Sequence, residues 1–181
     1  KGKGPRDLTN LCLELGSNML IISGLAKDVE DGKKKLQESI SSGAALEKFK
    51  QFVQAQGGDP EVVNNYSLLP TAKKVIEVKS SKAGYIQKIN ALEVGISSLM
   101  LGAGRQKKDD VVDLSVGIYI YKKVGDKVAE GEAIAAFHTD GDDAKIKPAV
   151  EKFLNAYTFG AKKVSEPKFF FARVTAKGEE I

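Results

Sequence analysis

The chain is 181 residues long, 42% hydrophobic and 29% charged, the proportions of an ordinary globular protein and enough for one domain or a small domain plus part of another. No apolar run approaches the roughly 18 residues of a membrane span, the longest being Met19-Leu20-Ile21-Ile22, so no membrane association is expected. The 28 basic residues are interspersed with 24 acidic ones for a net charge of +4, and the one tight basic run, Lys33-Lys34-Lys35, follows Asp28, Glu30 and Asp31; a solvated helix face accounts for it better than a nucleic-acid surface.

The start, Lys1-Gly2-Lys3-Gly4-Pro5, carries no signal-peptide pattern, and a first residue that is Lys fits either a processed start or a piece of a longer chain. Residues 7 to 23 then follow helical spacing, with Leu8, Leu11, Cys12, Leu15, Met19 and Ile22 on one face and Leu13, Leu20 and Ile21 on others. A helix apolar nearly all round is expected to be buried on most sides between other elements, some of them missing from this chain. The one cysteine, Cys12, cannot form an internal disulfide and is expected as a buried, unreactive thiol, which fits a reducing compartment such as the cytoplasm. A second helix is expected from Asp28 to Ser42 with Val29, Leu36 and Ile40 inward, and a third from Ala44 to Gln56 with Leu46, Phe49, Phe52 and Val53 on one face. Gly57-Gly58 stop it, and Asp59-Pro60 restart a short helix, since Asp can cap and Pro is tolerated at the first helical position. The same glycines lack the preceding strand and the Lys-Ser/Thr ending of a phosphate loop.

After a linker at Ser67 to Thr71 the pattern turns to β. Strands are expected at Val75–Val78 and Tyr85–Ile89, followed by a helix that Asn90 and Glu93 open as a capping box, with Leu92, Ile96, Leu99 and Met100 inward. Gly102-Ala103-Gly104-Arg105 end that helix; a helix C-terminus presents carbonyls, so an anion nest is disfavoured there. Residues 112 to 121 alternate cleanly and predict a strand. Turns follow at Gly125-Asp126 and Glu130-Gly131, then a strand at Ala133 to His138. A last helix starting at Asp142 or Asp143 places Ile146, Val150, Phe153, Leu154 and Tyr157 on one face, and Phe169 to Val174 reads as a final strand. The fold class is α+β: a helical segment over residues 1–66, then a mixed unit with mainly antiparallel strands over residues 72–181.

No reaction centre emerges. His138 is the sole histidine and cannot build a multi-His metal site; it reads as a strand-end structural residue, with a general base as the sharper alternative. No Gly-x-Ser-x-Gly elbow is present, and Asp109-Asp110 and Asp142-Asp143 read as turn or cap residues rather than acid–base pairs. No catalytic, cofactor-binding or metal residue is assigned.

Two resemblances go further. The run from Lys123 to Ile134, containing Lys123-Val124-Gly125-Asp126-Lys127-Val128, resembles the turn of biotinyl and lipoyl carrier domains. This implies a flattened, barrel-type fold for the C-terminal unit. No Met-Lys-Met follows, because the next strand ends in Phe137-His138-Thr139, so the carrier function is set aside and a standalone carrier-like or binding module is the alternative.

The second resemblance is carried by Lys1-Gly2-Lys3-Gly4-Pro5-Arg6-Asp7-Leu8, Ser42-Gly43-Ala44-Ala45-Leu46-Glu47-Lys48-Phe49, Gln54-Ala55-Gln56-Gly57-Gly58-Asp59, Gly84-Tyr85-Ile86, Leu101-Gly102-Ala103-Gly104-Arg105 and Asp113-Leu114-Ser115-Val116-Gly117-Ile118, together with the Lys123–Val128 run. In order and spacing these segments resemble the C-terminal part of the pyrimidine-nucleoside phosphorylases of the thymidine phosphorylase family, over roughly residues 1 to 140. The resemblance implies an α/β-hammerhead or barrel-sandwich-like C-terminal domain over 72–181, with residues 1–66 completing a large α/β lobe. It implies a cytoplasmic homodimeric transferase of nucleoside metabolism, a pentosyl-type glycosyltransferase. Such an enzyme uses phosphate as co-substrate to cleave pyrimidine nucleosides into base and pentose 1-phosphate. The family's Lys-His-Ser loop, its Arg, Ser and Lys set and its metal positions are expected before Lys1, and neither pattern occurs here. This chain alone is therefore expected to be inactive, with the rest of the parent enzyme as its partner, no cofactor of its own, and no role for nucleic acid.

Overall fold

The Asp28 carboxylate accepts a hydrogen bond from the backbone N–H of Asp31 and so caps the second of three helices that open the chain. The computed structural model describes residues 2–176 and 178–180; Lys1, Lys177 and Ile181, which the expected ranges include, lie outside the described residues. Contacts divide the chain into two units, residues 1–68 and 69–181.

In the first unit, α1 spans Arg6–Ile22, α2 Val29–Ser41 and α3 Ala44–Ala55, followed by 3-10 turns at Pro60–Val63 and Tyr66–Leu68. Asp59 caps the first of these turns through the Glu61 N–H, with Pro60 at its start, as the sequence predicts. The α1–α2 contact is built on small residues. Ser17 and Gly32 are buried, and a Cβ at Gly32 would lie 2.7 Å from Ser17 Cβ. Leu36 covers Gly16, where an added Cβ would sit 2.8 Å from Leu36 Cδ1. Glu14 on α1 pairs with Lys33 on α2 at 2.8 Å, and this hydrogen bond holds the lysine above its usual pKa.

Within its unit α1 uses only one of its apolar faces. Leu13 and Ser17 face inward, whereas Leu8, Leu15, Met19 and Ile22 are exposed. Close approach through Gly16, Ser17 and Gly32 selects the face with the smallest side chains, and the long apolar ones are left outside. Cys12 is exposed, which overturns the expected buried thiol. Phe49 and Phe52, which the sequence places on one face of α3, stack on each other 6.5 Å apart and are exposed as well.

The second unit contains β1 (Lys74–Lys79), β2 (Gly84–Ile89), α4 (Ala91–Ser98), β3 (Gly117–Ile120), β4 (Lys127–Val128), β5 (Ala133–Thr139), α5 (Asp143–Asn155), β6 (Tyr157–Gly160), β7 (Arg173–Thr175) and β8 (Gly178–Glu180). It is α+β, with every strand pair antiparallel. One sheet has the order β1-β5-β3, a second β4-β2-β6, and β7-β8 form a separate ribbon; among the described residues these sheets close no barrel.

Strand β5 is central to its sheet, and Ile134, Ala135, Ala136 and Phe137 are all fully buried, so it shows no polar–apolar alternation. Phe137 meets Phe153 of α5 edge-to-face at 5.3 Å, and Phe153 in turn packs against Tyr157 at 5.0 Å. Ile86, Val78 and Val128 fill the same core.

Four expectations change here. The predicted strand over 112–121 shortens to Gly117–Ile120. Asp113 accepts hydrogen bonds from both the N–H and the hydroxyl of Ser115, and its carbonyl accepts from the Val116 N–H; this local turn competes with extension and leaves Leu114 exposed. Asn90 caps α4 through the Leu92 N–H, but Glu93 does not reach back to complete a box. The Asn90 N–H donates to the Ala156 carbonyl, and Glu93 pairs with Lys152 of α5 instead. Tyr157, expected on the last helix face, opens β6, because α5 ends at Asn155. The strand expected over Phe169 to Val174 starts only at Arg173, beyond Phe169–Phe171, and is followed by β8.

Candidate functional site

A concavity lies in the second unit, where the C-terminal end of α4 approaches the start of α5. Helix α4 continues into a π-type turn over Leu99–Ala103, in which Gly102 has φ 106°, a conformation costly for any residue with a Cβ. The Gly102 carbonyl accepts from the Asp113 N–H, so the helix end directs carbonyl oxygen, not N–H groups, at the following loop. The cavity holds about 450 Å³ and is lined by Leu99, Met100, Gln106, Asp110, Lys145 and Pro148 among others.

Its carboxylate is committed to the backbone. Asp110 Oδ2 accepts from the N–H groups of Gln106 at 3.0 Å and Lys107 at 2.9 Å, closing the loop after the exposed Arg105. Asp142 accepts from the Lys145 N–H and caps α5. Asp110 and Asp142 thus act as a turn residue and a cap. Arg105 meets none of the carboxylates whose contacts define this loop.

The Lys123–Val128 run forms a tight turn. Asp126 Oδ2 accepts from the Lys123 N–H at 2.7 Å, while Gly125 donates to the Ile86 carbonyl and the Ile86 N–H donates to the Asp126 carbonyl. Gly125 is buried with φ 94°, and an added Cβ would lie 3.2 Å from the Val164 carbonyl oxygen, so the turn requires glycine for both conformation and space. Beside it, Lys122 pairs with Glu132 at 2.6 Å. Glu132 also accepts from the Ala129 N–H, and these two bonds, the lysine's first, hold its carboxyl below the usual range.

Strand β5 then leaves Thr139 and passes through Asp140-Gly141 directly into the Asp142 cap of α5. A carrier domain would need a hairpin tip presenting a lysine at this point. His138 is half-buried within β5, its backbone in register with Val75 and Gly117. Among the described residues no group of three or more His, Cys, Asp or Glu side chains could hold a metal, and no helix is long and apolar enough to cross a membrane.

The structure therefore brings the sequence-noted residues into turns, caps and core rather than into one reacting cluster. The pair that sequence reasoning missed is Glu93–Lys152, which links α4 to α5 at 2.6 Å; 59 positions separate the two residues, so no local pattern signals it.

Similarity to known proteins fits this arrangement. Residues 85–160 match the family model described as the pyrimidine nucleoside phosphorylase C-terminal domain. The chain is 44% identical over 165 residues, 91% of its length, to a protein named pyrimidine-nucleoside phosphorylase from Staphylococcus aureus strain USA300, and equally to its counterparts in strains NCTC 8325 and bovine RF122. It spans 38% of the length of those relatives. The domain match and the identity agree in supporting this chain as a C-terminal part of a pyrimidine-nucleoside phosphorylase.

Proposed function

We propose that the complete protein is a cytoplasmic, homodimeric pyrimidine-nucleoside phosphorylase and that this chain supplies its non-catalytic C-terminal portion. Residues 1–66 complete the large lobe and residues 72–181 form the C-terminal domain, a division that the two units over 1–68 and 69–181 support. The observation that carries the reading is the 44% identity over 91% of the chain to relatives bearing that name.

In this reaction a phosphate oxygen attacks the anomeric carbon of the nucleoside. The bond to the base nitrogen breaks, and its electron pair leaves with the base. The products are a free pyrimidine and a pentose 1-phosphate, and phosphate is a co-substrate rather than a bound cofactor. Catalysis of this type needs cations on the phosphate and donors at the departing base. The chemistry is assigned to the remainder of the parent, since this chain spans only 38% of the relatives' length, and a scaffolding role to this part. The test is base release by the complete protein from uridine or thymidine. Release that requires phosphate and yields pentose 1-phosphate is expected; release of free pentose without phosphate would overturn the reading.

A further inference from the structure

We infer that the cavity between the end of α4 and the start of α5 is a binding site for a small carboxylate with an apolar body, a role that goes beyond the proposed phosphorolysis. Its apolar lining comes from Leu99 and Met100 of the π-type turn and from Pro148 in the second turn of α5. A Cβ at Gly104 would lie 2.8 Å from Leu99 Cδ1, so glycine there lets the loop cross close over Leu99 without displacing it. The volume of about 450 Å³ lies within the roughly 300–1,000 Å³ of small-molecule sites.

The polar side chains of the lining are Gln106, Asp110 and Lys145. Asp110 Oδ2 already accepts two backbone N–H groups. Among the described residues, neither the exposed Lys145 ammonium nor the Gln106 carboxamide has a hydrogen bond or ion pair. One unpaired cation and one amide donor beside apolar side chains complement one carboxylate carried on an apolar body. The Asp110 carboxylate and the carbonyl end of the π-type turn bring negative charge to the same place, which disfavours a phosphate dianion.

The chain has two methionines. Met100 lines the cavity, whereas Met19 is 69% exposed on α1 in the other unit, so their isotopically labelled methyl groups give a reporter and a control. Phenylbutyrate, titrated into the 181-residue chain, is expected to shift the Met100 methyl resonance saturably and to leave Met19 in place. Phenylbutanol keeps the ring and chain without the charge. It is expected to bind about tenfold more weakly, and Lys145→Met is expected to weaken phenylbutyrate by a similar factor, as for the loss of one charge-assisted hydrogen bond. Lys145→Arg is expected to retain most of the affinity. Only the backbone N–H of Lys145 serves the α5 cap, so neither variant threatens the fold. No saturable shift at Met100, equal affinity for the alcohol, undiminished affinity in Lys145→Met, or a Met19 shift of the same size would each overturn the inference. Displacement of phenylbutyrate by an equal concentration of inorganic phosphate would overturn it too. In the complete protein, where Met100→Leu identifies the resonance, the same saturable shift is expected; its absence would give the cavity to the remainder of the polypeptide and overturn the inference. None of these readouts depends on base release, so a complete protein without phosphorolysis leaves the site standing.

Discussion

Glu93 Oε2 and Lys152 Nζ meet at 2.6 Å and tie α4 to α5 across the second unit. Both side chains are about one-third exposed, so the pair sits at a boundary where desolvation is partial and the attraction is screened only in part. Replacing either partner, as in Glu93→Gln or Lys152→Met, is expected to cost about 0.5–1 kcal/mol. A double-mutant cycle by urea denaturation checks this: a coupling that shrinks with added salt is expected, and strictly additive losses would show that the contact contributes nothing.

Phe153 is the centre of the aromatic core, fully buried between Phe137 and Tyr157. Phe153→Ala removes its transfer energy and leaves a cavity, for an expected loss of about 3–5 kcal/mol. Phe171, 81% exposed, provides the control, and its alanine variant should unfold at the same denaturant concentration as the parent chain. Similar losses at both positions would misplace the core.

The α1–α2 contact depends on Gly32 lacking a side chain. Gly32→Ala would place Cβ 2.9 Å from the Ser17 backbone Cα, which cannot swing aside, so the helices must part. Overpacking of this kind is expected to destabilise the first unit by about 1–3 kcal/mol, even though alanine has the better helix propensity. A thermal melt followed at 222 nm measures it, and a stabilised variant would contradict the packing.

Burial pushes the Tyr157 hydroxyl up from 10.0 to about 12. A pKa raised in the fold means that stability is fully present below the unfolded value near 10.0 and is lost as the pH climbs towards 12. Asp31, Asp113 and Glu132 are shifted the other way: the Lys35 ammonium lowers Asp31, the Ser115 hydroxyl lowers Asp113 and the Lys122 ammonium lowers Glu132. Their contribution is present above the ordinary carboxylate range and is lost as the pH falls through their depressed values. Glu132→Gln should therefore lower stability at neutral pH and converge on the parent chain in acid; a constant difference at all pH values would refute the Lys122 contact.

Much of the fold is legible locally. Asp28, Asp59, Asn90 and Asp142 cap the helices or turns that the sequence places after them, and the Gly125-Asp126 turn joins strands as its residues require. What escapes is set by distant partners. Helical spacing identifies α1 but not which of its apolar faces meets α2, because that choice rests on Gly32 and Leu36 in another helix. The alternation over 112–121 counts side chains and overlooks the competing turn at Asp113. Glu93 has the spacing of a capping box, yet a lysine on α5 claims it. For the site, a sequence can display Asp110 and place His138 near a strand end, where it lies in β5, but not show that Asp110 is spent on backbone N–H groups.

The central claim is that this chain scaffolds a phosphorolytic enzyme without performing the chemistry. Incubating the purified 181-residue chain with uridine or thymidine and phosphate, and following free base by chromatography, tests it most directly. No base above the protein-free control is the predicted result; sustained, phosphate-dependent release by the chain alone would contradict the account.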